Sequence, residues 1–225
     1  MGFYLTARAR LVLALAGSSL VSVGLFLAGA LSNHSTEFAY MIWNLFLAWV
    51  PLGLTLLLIR TLRRKVWSSW AALALTLVWI GFLPNTFYMI SDFIHVLDAQ
   101  RVDLLYDVVM FSSFIFNGVL LGFLSVFMIH QELQKRMSQR TSALLVALVL
   151  LVCSFAVYVG RDLRWNTWDV LLNPGGILVD VSDRVLNPSA HPEMFTTTFS
   201  FFVLLGSLYM VAWYMVRNAR QQRSS

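Results

Sequence analysis

Residues 82–95 read FLPNTFYMISDFIH, a run in which polar side chains interrupt a strongly apolar stretch. Pro84 has no backbone N–H to donate and kinks a helix that contains it. If helical winding continues past the kink, Asn85, Tyr88, Asp92 and His95 fall at i, i+3, i+7 and i+10, which is one face. A carboxylate and an imidazole on one face can act as general acid and base or hold a metal ion. Asp92 and His95 are therefore the candidate catalytic pair, with Asn85 and Tyr88 as candidate substrate contacts. The plainer alternative is a capped, solvated helix end, against which stands the cost of keeping such groups near a membrane without partners.

A second polar string, GRDLRWNTWD, occupies residues 160–169. Read as helix, it places Asp162, Asn166 and Asp169 on one face and Arg161, Arg164 and Trp168 on another. Two guanidinium forks can clamp a phosphate or carboxylate. Arg161, Arg164, Asn166 and Asp169 thus join the candidate substrate-binding set. Against this, Trp165 and Trp168 suit an interfacial aromatic belt, and the arginines can pair with loop carboxylates or lipid head groups. Asp103 and Asp107 lie one helical turn apart and are candidates for a divalent cation, magnesium or calcium before zinc, because outer-face imidazoles are scarce. Solvated aspartates at a helix start account for them equally well. The single cysteine, Cys153, sits in an apolar run, where a thiol is held protonated and makes a poor nucleophile.

The elements that must position these strings are membrane helices. Hydrophobic residues make up 59% of the 225-residue chain and charged residues 12%, about half the charged share of a soluble domain. Six runs reach the ~20 residues needed to cross a hydrocarbon core: 11–31, 39–59, 69–90, 108–130, 141–160 and 195–216. They are apolar all round, which excludes a soluble helical core. The expected fold is all-α, a single domain over 1–225 with six transmembrane helices in one bundle. The first run is longer than the apolar core of a signal peptide, so it is read as a retained span. Gly118 and Gly122 have the small-residue spacing that lets helices approach closely.

Lys and Arg are unevenly divided between the two sets of connections, twelve against four. The positive-inside rule then places both termini in the cytoplasm of a cell (inner) membrane. This arrangement accounts for the net charge of +5 without nucleic acid, which the short basic connections have no folded reader to bind. The two long outer segments are 91–107 and 161–194, and a site built from the two polar strings at their starts faces outward. Asn173-Pro174-Gly175-Gly176 and Asn187-Pro188 read as turns, and Ile177-Leu178-Val179 between them is apolar enough to rest on the membrane or pack over the bundle.

Together the two strings resemble the bacterial and archaeal membrane-protein family catalogued as domain of unknown function 1361, over essentially the whole chain. The hallmarks matched are Pro84, Asn85, Tyr88, Asp92 and His95, then Arg161, Arg164, Trp165, Asn166, Trp168 and Asp169. Members of that family carry Ala-Pro after the Asn, where this chain has Thr86 and Phe87. The resemblance implies a multi-helix membrane fold and no established activity. From the residues, the leading expectation is a polar site at the extracytoplasmic face, an enzyme site for a lipid or cell-envelope precursor in which Asp92 and His95 supply acid and base. The alternatives are a small transporter, channel or sensor component, and an accessory or scaffold subunit of a membrane complex.

Overall fold

The computed structural model of the 225-residue chain describes residues 2–96, 104–165 and 169–222. Every regular element among them is helical: α1 (Gly2–Asn33), α2 (Tyr40–Leu62), α3 (Trp70–Phe82), α4 (Pro84–Tyr88), α5 (Leu104–Gln134), α6 (Gln139–Arg161), α7 (Asp169–Leu172), α8 (Pro174–Leu186) and α9 (Pro192–Gln221), with 3-10 segments at Glu37–Ala39 and Met89–Val96. Six stretches are long and apolar enough to span a bilayer: Ala9–Ser32, Glu37–Leu62, Trp70–Val96, Leu104–Gln134, Gln139–Arg161 and Pro192–Ala219. The protein is a multi-pass membrane protein, and many exposed leucines, valines and phenylalanines on these helices have lipid rather than water as their solvent.

Helix α5 is the hub. It packs against α1, α2, α4, α6 and the Met89–Val96 segment, whereas α9 packs chiefly on α6. The reason lies partly in its glycines. A Cβ at Gly118 would stand 2.7 Å from the Thr86 carbonyl oxygen and 2.8 Å from Met89 Sδ, and one at Gly122 would stand 2.8 Å from Phe87 Cζ. Helix α4 is thus seated directly on the backbone of α5. Buried polar groups are matched with equal economy. Ser125 Oγ accepts from Trp79 Nε1 at 2.8 Å, shares a 2.8 Å bond with Thr55 Oγ1, and donates to the Pro51 carbonyl at 3.3 Å, tying α2, α3 and α5 together. Ser125→Ala leaves the buried indole N–H without its acceptor. We expect a loss of ~1–3 kcal/mol, read as a lower thermal midpoint in detergent, with Ser125→Thr recovering part of it.

Two expectations from the sequence need correction. The third span continues beyond residue 90: Pro84 opens α4 at its first position, and the chain then runs on as a 3-10 segment to Val96. Asn173-Pro174-Gly175-Gly176 is a helix start, with no turn in it. Pro174 stands in the first turn of α8, and the Asn173 side chain caps it by accepting from Gly176 N at 3.1 Å.

Candidate functional site

The break between α3 and α4 sets the site. Without a Pro84 N–H the ladder is interrupted, and nearby side chains take up carbonyls there. Asn85 Nδ2 donates to Phe82 O at 3.0 Å, and Thr86 Oγ1 donates to Leu83 O at 2.7 Å. Thr86 and Phe87 are fully buried against α5. Their packing carries the local backbone shape. Beyond Tyr88 the chain tightens to 3-10 geometry, whose three residues per turn eclipse positions i and i+3. Asp92 and His95 are consequently stacked on one face, the outcome anticipated for a continuous helix, reached by a different winding.

Opposite that face, α6 ends at Arg161, whose guanidinium spans both groups. Its Nη2 lies 2.9 Å from His95 Nε2 and its Nη1 lies 3.9 Å from Asp92 Oδ1. A guanidinium carries only donors, so His95 Nε2 accepts in this pairing. Asn44 Nδ2 of α2 donates to Asp92 Oδ2 at 3.3 Å, and the Tyr40 ring meets the His95 ring edge-on with centroids 6.2 Å apart. Asp92 is only 1% exposed, so this carboxylate owes its place to partners from two other helices. Gly160 admits Tyr88, since a Cβ there would approach Tyr88 Cε2 to 3.1 Å.

These side chains line the polar end of a cavity of about 550 Å³, within the usual range for ligand sites. Asn85, Tyr88, Asp92, His95 and Arg161 all face it, as do Tyr40 and Asn44. Sequence reasoning passed over the last two. Their signal was present as a lone amide, with a tyrosine one turn before it, inside an otherwise apolar run. Away from the cluster, the walls are the apolar side chains of Leu47, Ile80, Val152, Ala156 and Val159. At the end nearest α8, Ile177 of that helix and Trp165 complete the lining, and Trp165 Nε1 donates to Asp180 Oδ2 at 2.8 Å. Arg184 secures α8 further, donating from Nε to Tyr158 Oη at 3.1 Å.

Other candidates lie elsewhere. Arg164 adopts a left-handed backbone (φ 59) and is exposed, so the helical reading through it does not hold, and it does not line the cavity beside Arg161. Asp169 begins α7 and does not line the cavity, and Asp107, buried near the start of α5, does not line it either. Asn166 and Asp103 fall outside the described residues. Among the described residues no three His, Cys, Asp or Glu side chains gather as a metal site. Asp162, just past Arg161, has its carboxyl held above the usual range by burial and by the Glu193 carboxylate, with Arg161 opposing. A separate cavity of about 440 Å³ at the other end of the bundle is lined by Arg217, Gln131, Gln134 and Gln139 beside Phe127, Trp213 and Val216, with no carboxylate or imidazole.

A family model described as Protein of unknown function (DUF1361) matches residues 43–206. No curated protein and no solved structure matches the chain.

Proposed function

The chain belongs to that family of proteins of unknown function, the matched stretch holds every lining residue of the cavity except Tyr40, and from this premise we propose that the cavity receives the polar head of a membrane amphiphile. The ligand class is a lipid or cell-envelope precursor with an anionic group. The observation that carries the reading is the meeting of Asp92, His95 and Arg161 at one end of a cavity whose remaining walls are apolar. An amphiphile matches both halves of such a space.

Arg161 is the group that engages the anion. Its two terminal nitrogens face His95 and Asp92, so an incoming phosphate or carboxylate competes with them and draws the guanidinium away. Release of His95 Nε2 leaves a ring nitrogen free to take a proton, with the Asp92 carboxylate beside it as the second acid–base group. That is the chemistry an enzyme at this site would use. The experiment is retention of endogenous lipid through detergent exchange, followed by mass spectrometry. Wild type is expected to keep one class of anionic amphiphile that Arg161→Ala loses and Arg161→Lys partly keeps. Equal retention by all three proteins would sink the reading.

The site belongs to the bundle end opposite both termini, which we assign to the extracytoplasmic face of the cell membrane from the distribution of Lys and Arg. In a Cys153→Ala background, Arg64→Cys should react with a membrane-impermeant maleimide only after the membrane is opened. Val179→Cys, on the exposed face of α8, should react in intact cells. The reverse pattern would invert the topology.

A further inference from the structure

Resting on that reading, we propose that the ligand reaches the cavity sideways from the bilayer, between α2 and α6, and that its hydrocarbon chain lies in a groove passing over Gly81. The ligand class is thereby narrowed to chain-bearing lipids, and free head groups are excluded.

The groove exists because α4 is short. Helices α2 and α6 each pack on α4, yet they do not pack substantially on one another. Between them lies a recess floored by the end of α3 and by Pro84, Asn85 and Tyr88 of α4. A side chain is missing just where the recess is open. Gly81 is exposed, and a Cβ built on it meets no atom within 4 Å. The glycines facing α4 are a contrast, since added carbon there collides at once. Along α6 the wall runs from Val159 through Ala156 to Val152, roughly 10 Å at the helical rise, leading from the polar cluster toward the bilayer centre. Val152 is 40% exposed at its inner edge. The outer end is the covered one, where Trp165 and Ile177 sit beneath α8, held by the bonds to Asp180 and from Arg184 to Tyr158.

A groove open to the side at this depth is filled by hydrocarbon in any case. The geometry joins that hydrocarbon to the polar cluster without a barrier between them, so a single molecule spans both. Its chain contributes affinity in proportion to the length laid down.

The test reconstitutes the full chain in vesicles of phosphatidylethanolamine and phosphatidylglycerol containing a phosphatidylglycerol probe with a photoactivatable diazirine midway along one acyl chain. Crosslinks are mapped by peptide mass spectrometry. The expected result is label in peptides carrying residues 80–82 and 152–159. Gly81→Trp should cut it by roughly tenfold, the factor that about 1.4 kcal/mol supplies. Gly206→Trp, also placed where a Cβ meets nothing within 4 Å, should leave it unchanged. Glycerol phosphate added to the buffer should not displace it.

Wild-type labelling of a folded Gly81→Trp protein would overturn the groove. So would displacement by glycerol phosphate alone. If Arg161→Ala loses the label while Gly81→Trp keeps it, the head-group reading stands and the groove falls. The reverse result keeps the groove and removes Arg161 as the anion contact. Should Gly81→Trp fail to insert, Ala156→Leu narrows the recess from the opposite wall and is judged by the same outcomes.

Discussion

Gly122→Val should yield a protein that no longer holds its third span in place, with a stability loss of at least ~3 kcal/mol. The estimate is the upper part of the usual overpacking range, because the collision is with a buried element that has nowhere to go. A Cβ at 122 meets the Phe87 ring, and one at 118 meets the Thr86 backbone carbonyl. The Thr86 and Phe87 side chains that face position 122 are fully buried, so they give way only if their helix moves. Helix α4 in turn is confined by α2 and α6 on its other sides. Thermal unfolding in detergent should show the loss. Gly24→Val, where a Cβ meets nothing within 4 Å, should be close to neutral and serves as the measure of intrinsic helix effects. A Gly122→Val protein as stable as wild type would mean that α4 is not seated on α5. Because α4 carries the chain directly into Asp92 and His95, a partly folded Gly122→Val protein should also lose the crosslinked lipid without any change to the polar cluster.

Asp92→Ala is expected to cost ~3 kcal/mol, the low end of the range for breaking a buried ion pair from one side. The low end applies because the Arg161 side chain retains 21% exposure and can turn partly toward the interface, whereas Asp92 has 2% and cannot. What remains is a guanidinium with one partner lost and an Asn44 amide without its acceptor. The double change Asp92→Ala with Arg161→Leu should be less destabilising than the sum of its parts, since neighbours in one network couple by ~0.5–3 kcal/mol. This cycle also separates two roles for the cluster. If the pair serves only to clasp α6 to the third span, the double variant regains stability and lipid retention together. If the pair handles a ligand, stability returns while retention does not. Additive losses would show that Asp92 and Arg161 do not interact.

Much of this protein could be read along the chain. Six apolar runs of sufficient length, with basic residues concentrated in one set of connections, are consequences of solvation by lipid and depend on no tertiary contact. The same is true of the polar stripe after Pro84. Asp92 and His95 are three positions apart, so any helical winding, α or 3-10, puts them on a shared face. Ends were less legible. The proline that interrupts one helix also starts the next, and Asn173-Pro174 serves equally well as a turn or as a cap. Which of these forms is settled by whether there is something for the ensuing helix to cover. Here α8 covers Trp165.

Residue types and local periodicity by themselves determined the six spans, the face that carries Asp92 and His95, and the presence of arginines after the fifth span. Only the tertiary structure decided which arginine meets Asp92 and His95. Arg161 still belongs to α6 and is aimed by its axis, while Arg164 lies beyond the helix end with a left-handed backbone, where no ladder dictates its direction. It also decided that Tyr40 and Asn44 join the site, because a lone amide in an apolar helix specifies that a partner must exist without specifying which one. Asp92, 48 positions along the chain, becomes that partner when Gly118 and Gly122 let the broken helix sink onto α5. Helix packing sets such distances, and packing depends on volumes meeting across the bundle, a quantity that the order of residues along one strand of chain does not express.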